Sequence, residues 1–184
     1  MRLGVNLVLC IAAVLGFAGC AQTALPPARL GLRLPPATLG ASISLQQQLR
    51  VEREGRIDHL DAALEVDDGH LDMIALALGQ RVMSLHFDGT TLSSWRHALL
   101  PQQVRGEDVL EDVLLTYWPV EIIRSALPAG WRIEDEGLRR KLWCGDQLVT
   151  VIEYSGMPRW SGMVVLSNLR YEYKLTIQSV SAGQ

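Results

Sequence analysis

Apolar and polar residues alternate over much of this chain, and short turn sequences separate the alternating stretches. The first stretch places Leu45, Gln47, Leu49 and Val51 on one face of an extended segment. The alternation recurs in later stretches, with turn sequences at 67–69, 79–81 and 88–89. Because successive side chains of a strand point to opposite faces, the pattern predicts an antiparallel meander with one apolar face and one solvated face.

The middle of the chain has a different, helical spacing. The residues that recur at helical intervals are Val109, Leu110, Val113, Leu114, Tyr117 and Trp118. Pro119 ends or kinks this helix, and a second short helix is predicted over 120–126. Strands resume at Trp131. A sheet of many short strands must curl to hide its apolar face. We therefore predict a mainly β fold with a helical insert, a curved antiparallel sheet or half-open barrel covered by a short helical pair at 106–127.

The first twenty residues have the composition of an export signal. Arg2 precedes an apolar stretch that ends near Phe17, and small residues lead to Cys20. The stretch is shorter than the roughly 20 apolar residues that a spanning helix needs. The order Phe17-Ala18-Gly19-Cys20 resembles the bacterial lipobox. The resemblance implies that Cys20 is diacylated and that the signal peptide, residues 1–19, is removed. An ordinary secretory signal cut nearby is the alternative.

The residues after Cys20 bear on location and organisation. Ala21 and Gln22 stand where an aspartate would retain a lipoprotein in the inner membrane. The resemblance therefore places the protein on the periplasmic face of the outer membrane, anchored by lipid without crossing it. Paired prolines favour extended chain, so residues 20–43 are predicted to be a tether that reaches about 60 Å. Residues 44–184 are predicted to form a single domain.

Composition argues against a nucleic-acid-binding protein and against a fold stabilised by disulfides. Removal of the signal peptide leaves 165 residues, enough for one domain with a core of its own. They carry 16 basic and 20 acidic side chains, a balance that argues against binding to nucleic acid, which requires dense Lys/Arg contacts to phosphate. With Cys20 acylated, Cys144 is the one remaining thiol, so no intramolecular disulfide is expected.

These features together resemble an uncharacterised lipoprotein family whose members are often encoded with aryl polyene pigment biosynthesis. The resemblance covers about residues 44–180, and its most specific part is the acidic-aliphatic stretch 112–119, which ends in Trp118-Pro119. The family is similar in design to the lipoprotein-localisation proteins LolA and LolB. Their fold is a half-open antiparallel barrel lidded by helices, with an apolar cavity that receives acyl chains. The exposed, membrane-inserting leucine of the receptor branch is not assigned to any position here.

The resemblance implies a similar apolar cavity in this chain, which would bind an acyl or lipid-like ligand or the acyl part of a lipoprotein. The residues expected to contact such a ligand, on the strands and on the helical cover, are Leu49, Val51, Leu64, Met73, Leu85, Phe87, Leu114 and Trp118. Leu114 and Trp118 would control access. We expect binding to be hydrophobic and weakly specific, at about 25 cal/mol per Å² of area removed from water.

The sequence offers little support for catalysis, and we expect no catalytic residues, cofactor or metal. Cys144 would be a nucleophile only with a histidine close in space to lower its pKa. The four histidines, His59, His70, His86 and His97, lack the spacings of common metal sites. The acidic residues 134–136 are typical of a solvated hairpin turn.

The five tryptophans leave two functions open. Indole rings suit either the core or the rim of a lipid pocket. Trp118, on the predicted cover, is the best candidate for a cavity contact, whereas Trp160 lies in a predicted loop. The first hypothesis is a non-enzymatic carrier of lipid-like cargo. The alternative is a structural or assembly lipoprotein that binds an outer-membrane or biosynthetic protein partner through a sheet edge or the Trp160 loop.

Overall fold

The computed structural model describes residues 29–182. The predicted signal peptide, the lipidation of Cys20 and the first part of the predicted tether lie outside these residues. Within the described range, no helix is both long and apolar enough to cross a bilayer.

Ten antiparallel strands form one open sheet. They are β1 (Ile43–Arg53), β2 (Arg56–Val66), β3 (Leu71–Ala77), β4 (Gln80–Phe87), β5 (Leu92–Arg96), β6 (Trp131–Glu136), β7 (Arg139–Cys144), β8 (Gln147–Tyr154), β9 (Gly162–Asn168) and β10 (Tyr173–Ser181). The spatial order is β5-β4-β3-β2-β1-β10-β9-β8-β7-β6. Two consecutive meanders, β1–β5 and β6–β10, are thus joined side by side where β1 pairs with β10. The prediction of a mainly β fold with a curved antiparallel sheet is confirmed.

The alternation seen in the sequence becomes the two faces of this sheet. In β1 every second residue from Ile43 to Leu49 is buried, and the residues between them are exposed. The strands β2, β3 and β4 continue the apolar face with residues such as Leu64, Leu71 and Phe87. Burial of a side chain of this size stabilises the fold by about 1.5–3 kcal/mol. The concave face therefore carries much of the hydrophobic core.

Two helices connect the edge strands β5 and β6 and lie over the concave face. They are α1 (Gly106–Tyr117) and α2 (Val120–Ala126), separated by Trp118 and Pro119. Glu107 and Asp108 in the first turn of α1 suit the positive end of the helix dipole. Apolar residues of both helices enter the same core as the sheet. We call residues 106–126 the cover.

The chain before β1 differs from the predicted tether. Residues 29–42, here called the strap, lie against the domain and contain a short 3-10 turn at Pro36–Leu39. Leu32, Leu34 and Leu39 are buried in the common core. The paired prolines break any regular periodicity, so no pattern in the sequence indicated that these leucines have partners on the concave side. Residues 29–42 are therefore part of the packed domain, whereas the sequence predicted a tether there.

Close packing of α1 on β5 gives a testable stability effect. A Cβ added to Gly106 would lie 2.5 Å from both Cβ and Oγ of Ser94. Overpacking of this kind costs about 1–3 kcal/mol. We expect Gly106→Ala to lower the free energy of unfolding by that amount in urea denaturation. Gly156→Ala, which meets no atom within 4 Å, is the matched control.

A second substitution distinguishes the clash from a general intolerance of alanine at Gly106. Ser94→Gly removes the atoms that the new Cβ would meet, so the double variant should recover part of the lost stability. Equal stability of the single and double variants would contradict this account.

Candidate functional site

The residues predicted to line an acyl cavity come together on the concave side, under the cover. Seven of the eight are buried in one hydrophobic cluster, namely Leu49, Leu64, Met73, Leu85, Phe87, Leu114 and Trp118. Val51, nearer the end of β1, is half-buried. In this arrangement the side chains of the sheet and the cover pack against one another. Six of the eight lie on the concave face of the sheet, and Leu114 and Trp118 lie on the cover that faces it. Their role in ligand binding remains a prediction.

The C-terminal end of α1 is held by a buried arginine. Arg140 on β7 is 1% exposed and donates a hydrogen bond to the carbonyl oxygen of Leu115. It also pairs with Asp135, with 2.9 Å between Nη2 and Oδ2. Tyr154 donates from its hydroxyl to the carbonyl oxygen of Thr116 at 2.8 Å. These bonds satisfy carbonyl groups that lie in the last turn of the helix, where a positive charge is favourable.

Asp135 binds a second arginine. Arg159 donates to the other oxygen of this carboxylate, and its guanidinium lies 4.4 Å from the centre of the Tyr154 ring. Burial alone would raise the pKa of Asp135, but the hydrogen bonds and charges of Arg159 and Arg140 hold it below its ordinary value. The carboxylate therefore stays ionised and keeps both arginines in place.

A buried polar contact fixes the cover over the centre of the sheet. Gln47 on β1 donates to the hydroxyl oxygen of Tyr117 at 2.8 Å and to Oγ of Ser179 on β10 at 3.0 Å. Burial raises the pKa of Tyr117 to about 12, so this hydroxyl is neutral at physiological pH. The contact joins α1 to the two strands at which the meanders meet.

A third group of polar contacts lies along the first half of α1. Arg29 of the strap pairs with Asp108 and Asp112, at 3.3 Å in each case. The hydroxyl of Tyr173, the first residue of β10, donates to the second oxygen of Asp112. The amide N–H of Gly31 donates to Oε2 of Glu111 at 2.8 Å. Strap, cover and sheet thus meet in one polar cluster.

Burial dominates the proton affinity of Asp112. It raises the pKa of this carboxyl to about 6, although Arg29 and the Tyr173 hydroxyl act in the opposite direction. Burial also raises the pKa of the neighbouring Glu111, against the hydrogen bond from Gly31. For Arg29, burial is the largest cause and would lower the pKa, but Asp112, Tyr173 and Asp108 together outweigh it and the net direction is upward.

The pKa of Asp112 predicts a pH dependence of stability. The folded state binds a proton at Asp112 more tightly than the unfolded chain, whose carboxyl has a pKa near 3.8. The stabilisation of the folded state by the protonated carboxyl of Asp112 is therefore complete at low pH, and it is lost as the pH rises from about 4 to about 6. We expect the wild-type protein to lose up to about 3 kcal/mol more than Asp112→Asn over this interval in denaturation curves. The exposed Asp146→Asn is the control, and parallel curves for wild type and Asp112→Asn would contradict the prediction.

A cavity of about 610 Å³ opens between the strap and the N-terminal half of the cover. Leu32, Leu92 and Leu110 supply its apolar lining, and Arg33 and Arg105 are among its charged residues. The cavity was not foreseen, because one of its walls is the strap. Arg29, Asp108 and Tyr173 of the polar cluster also line it, and none of the eight predicted residues does.

Sequence reasoning also missed a leucine at a hairpin tip. Leu78 joins β3 to β4 and is fully exposed, at 105%. Its φ is 51° and that of Gly79 is 75°, so both central residues of this two-residue turn are left-handed. Such turns favour Asn, Asp or Gly at the first position, and Glu54 occupies the corresponding position in the β1–β2 turn. The full exposure of a leucine at a turn whose counterpart carries Glu54 makes Leu78 a candidate contact residue.

The exposure and the contacts of the other tryptophans and of the histidines differ from what the sequence indicated. Trp160 lies in its loop but packs partly against the core, whereas Trp95 on β5 is 43% exposed. His70 and His86 both contact the exposed carboxylate of Asp72. Among the described residues, no group of His, Cys, Asp or Glu side chains is arranged to hold a metal ion. Cys144 is half-buried at the end of β7.

The sequence patterns that could have revealed the missed residues were of unequal strength. Gln47 and Arg140 are polar residues in phase with the apolar positions of their strands, which marks a buried polar contact. Arg29 gave no such sign, because its partners are about 80 residues away in sequence. The hairpin containing Leu78 was foreseen, although its exposed leucine was not singled out.

Comparisons with known proteins bear on the identity of the chain. None of the functionally curated proteins matches it. Among solved structures it is similar to a crystal structure of a DUF1329 family protein from Desulfovibrio piger ATCC 29098. The two share 12% sequence identity, with 82% of this chain and 88% of that chain covered and a TM-score of 0.34. The family described as "Protein of unknown function (DUF3261)" matches residues 44–181. This range contains both helices and all ten strands, except for the first residue of β1. The chain therefore belongs to the DUF3261 family.

Proposed function

We propose that this protein is a non-enzymatic lipoprotein of the outer membrane, anchored through Cys20 on the periplasmic side. It binds an acyl or lipid-like cargo, or the acyl part of a lipoprotein, between the sheet and the cover and assists placement of that cargo in the outer membrane. The observation that carries the proposal is the construction of the cover. Its inner side is apolar, and polar contacts fasten it near both ends of α1.

The energetics of opening are compatible with this role. Separation of the cover from the sheet would expose apolar residues on both surfaces, among them Leu64, Phe87, Leu114 and Trp118. An acyl chain would restore the lost burial at about 0.8 kcal/mol per methylene, or about 12 kcal/mol for a palmitoyl chain. That is comparable to the whole stability of a typical domain, about 5–15 kcal/mol. Burial of such a chain would be sufficient to replace the contacts of the cover.

The place where the strap begins supports an orientation toward the membrane. Arg29 lies beside Tyr173, at the end of the sheet where the β1–β2 and β9–β10 turns are found. The β3–β4 turn with Leu78 is at the same end. Eight residues separate Arg29 from Cys20 and span at most about 30 Å. The proposed anchor therefore keeps this end of the domain near the bilayer.

Leu78 supplies the membrane contact that this orientation requires. Burial of a leucine side chain in lipid contributes about 1.5–3 kcal/mol. We expect Leu78→Glu, in a soluble form lacking residues 1–20, to bind phosphatidylglycerol vesicles at least tenfold more weakly in sedimentation assays. The matched turn tolerates Glu54 at the same φ, so the fold should be unaffected. Val180→Glu, an exposed position at the opposite end of the sheet, should bind as the wild type does. Equal binding by all three proteins would contradict the membrane contact.

The cargo itself is tested by mass spectrometry. The soluble form is purified from its native periplasm and extracted with organic solvent. A fatty acyl, phospholipid or polyene species at near-equal stoichiometry would support the carrier function and identify the class of cargo. An empty protein that also fails to take up a hydrophobic fluorophore would contradict it.

A second candidate is a scaffold that binds a protein partner without lipid. It is favoured by β5, the edge strand of the first meander, whose residues from Ser93 to Arg96 are exposed and include Trp95. An edge strand of this kind can pair with an extended segment of another protein. Site-specific crosslinking from Trp95 that yields one stoichiometric protein would support the scaffold, and no crosslinked protein would contradict it.

A further inference from the structure

The strap contacts the cover along the length of α1. At the N-terminal half, Arg29 pairs with Asp108 and Asp112 and the amide of Gly31 binds Glu111. At the C-terminal end, the indole Nε1 of Trp118 donates to Oγ1 of Thr38 at 2.9 Å. Because Thr38 itself donates to the carbonyl of Pro35, its hydroxyl is oriented to accept from the indole.

The same segment is bound to the rest of the domain. Leu32, Leu34 and Leu39 are buried in the core that the sheet and the cover share. The guanidinium of Arg33 donates to the carbonyl oxygen of Thr90 in the β4–β5 turn at 3.2 Å. The strap therefore bridges the cover to the sheet and, with the cover, lines the open 610 Å³ cavity.

Arg29 has a special place in this arrangement. Its side chain pairs with two carboxylates of α1, Asp108 and Asp112. Loss of a single partner from a largely buried ion pair is costly because it leaves the other charge without compensation.

We propose that the strap controls the opening of the cover. α1 separates from the sheet only after the strap has released it. The inference rests on the proposed function, since it assigns a regulation to the same site. It gives the segment before β1 a role beyond that of a spacer.

The test is amide hydrogen exchange of the full, lipidated protein in nanodiscs, without added ligand. In Arg29→Gln and in Thr38→Val we expect residues 106–117 to exchange at least tenfold and at least threefold faster, respectively. Arg56→Gln is the matched control, because this exposed arginine on β2 pairs with Asp58 and contacts neither the strap nor the cover. In this variant α1 should exchange within twofold of the wild type. Exchange in β1 and β10 reports whether the sheet remains intact.

Unchanged exchange of α1 in both Arg29→Gln and Thr38→Val would overturn the proposal. If Arg29→Gln fails to fold, Thr38→Val decides alone, since valine preserves the volume of threonine. A parallel titration with palmitate separates the two proposals. Palmitate binding without any effect of the strap variants on α1 overturns the control by the strap and leaves the carrier function. Faster exchange of α1 in a protein that binds no palmitate supports the control by the strap and counts against the carrier function.

Discussion

Replacement of Trp118 by alanine is expected to lower the free energy of unfolding by about 4 kcal/mol, one of the two largest effects in this protein. The indole is 0% exposed and fills the space between the helices and the sheet. Truncation of a buried tryptophan removes its transfer free energy and leaves a cavity, and such changes cost about 3–5 kcal/mol. Equilibrium denaturation in urea measures the effect.

Two further variants separate the contributions of Trp118. Trp118→Phe keeps most of the apolar volume but loses the hydrogen bond to Thr38, so it should cost about 1 kcal/mol for the bond, plus a smaller packing term. Trp95→Ala removes a tryptophan that is 43% exposed and should cost clearly less than Trp118→Ala. A loss below 2 kcal/mol for Trp118→Ala would show that the cover contributes little to the stability of the domain.

The second large effect is expected for Arg140→Leu. The substitution leaves the carbonyl of Leu115 without its donor and removes one of the two arginines bound to Asp135. Removal of one partner from a buried charge pair costs about 3–5 kcal/mol. Because Arg159 still compensates Asp135, we expect a loss of about 3 kcal/mol, together with faster amide exchange at the C-terminal end of α1.

Arg139→Leu is the control for this experiment, because the neighbouring guanidinium is half exposed and pairs with Glu153 on the outer face. A surface ion pair of this kind contributes at most about 1 kcal/mol. If Arg139→Leu and Arg140→Leu destabilise equally, the buried contact does not fasten the cover.

The sheet could be predicted from the sequence because its signal is local. The bounds of α2 agree with the predicted segment 120–126, and β6 begins at Trp131, where strands were predicted to resume. Alternation specifies which residues face inward, and turn residues specify where a strand ends. Neither depends on knowledge of distant partners.

The polar contacts of the site could not be predicted in the same way. The residues of the pairs Gln47–Tyr117, Arg140–Leu115 and Arg29–Asp112 are 70, 25 and 83 positions apart. A single sequence indicates that a buried polar residue requires a partner, but not which residue that partner is. The strap was misinterpreted for the same reason. The burial of the leucines in 29–42 depends on contacts with the cover and the sheet, which are distant in sequence.

The pairing of β1 with β10 has a consequence for the time course of folding. Leu45 lies opposite Ser181, so this pairing joins positions 136 residues apart, whereas every other pair of strands is made by neighbours in sequence. Each five-stranded meander can form from local contacts, but their union requires closure of nearly the entire described chain. Pairings of such high contact order are slow. We therefore expect a newly synthesised molecule to pass through a stage in which two half-sheets exist with their central strand edges unpaired. In this interval the protein is most exposed to aggregation or to capture by chaperones.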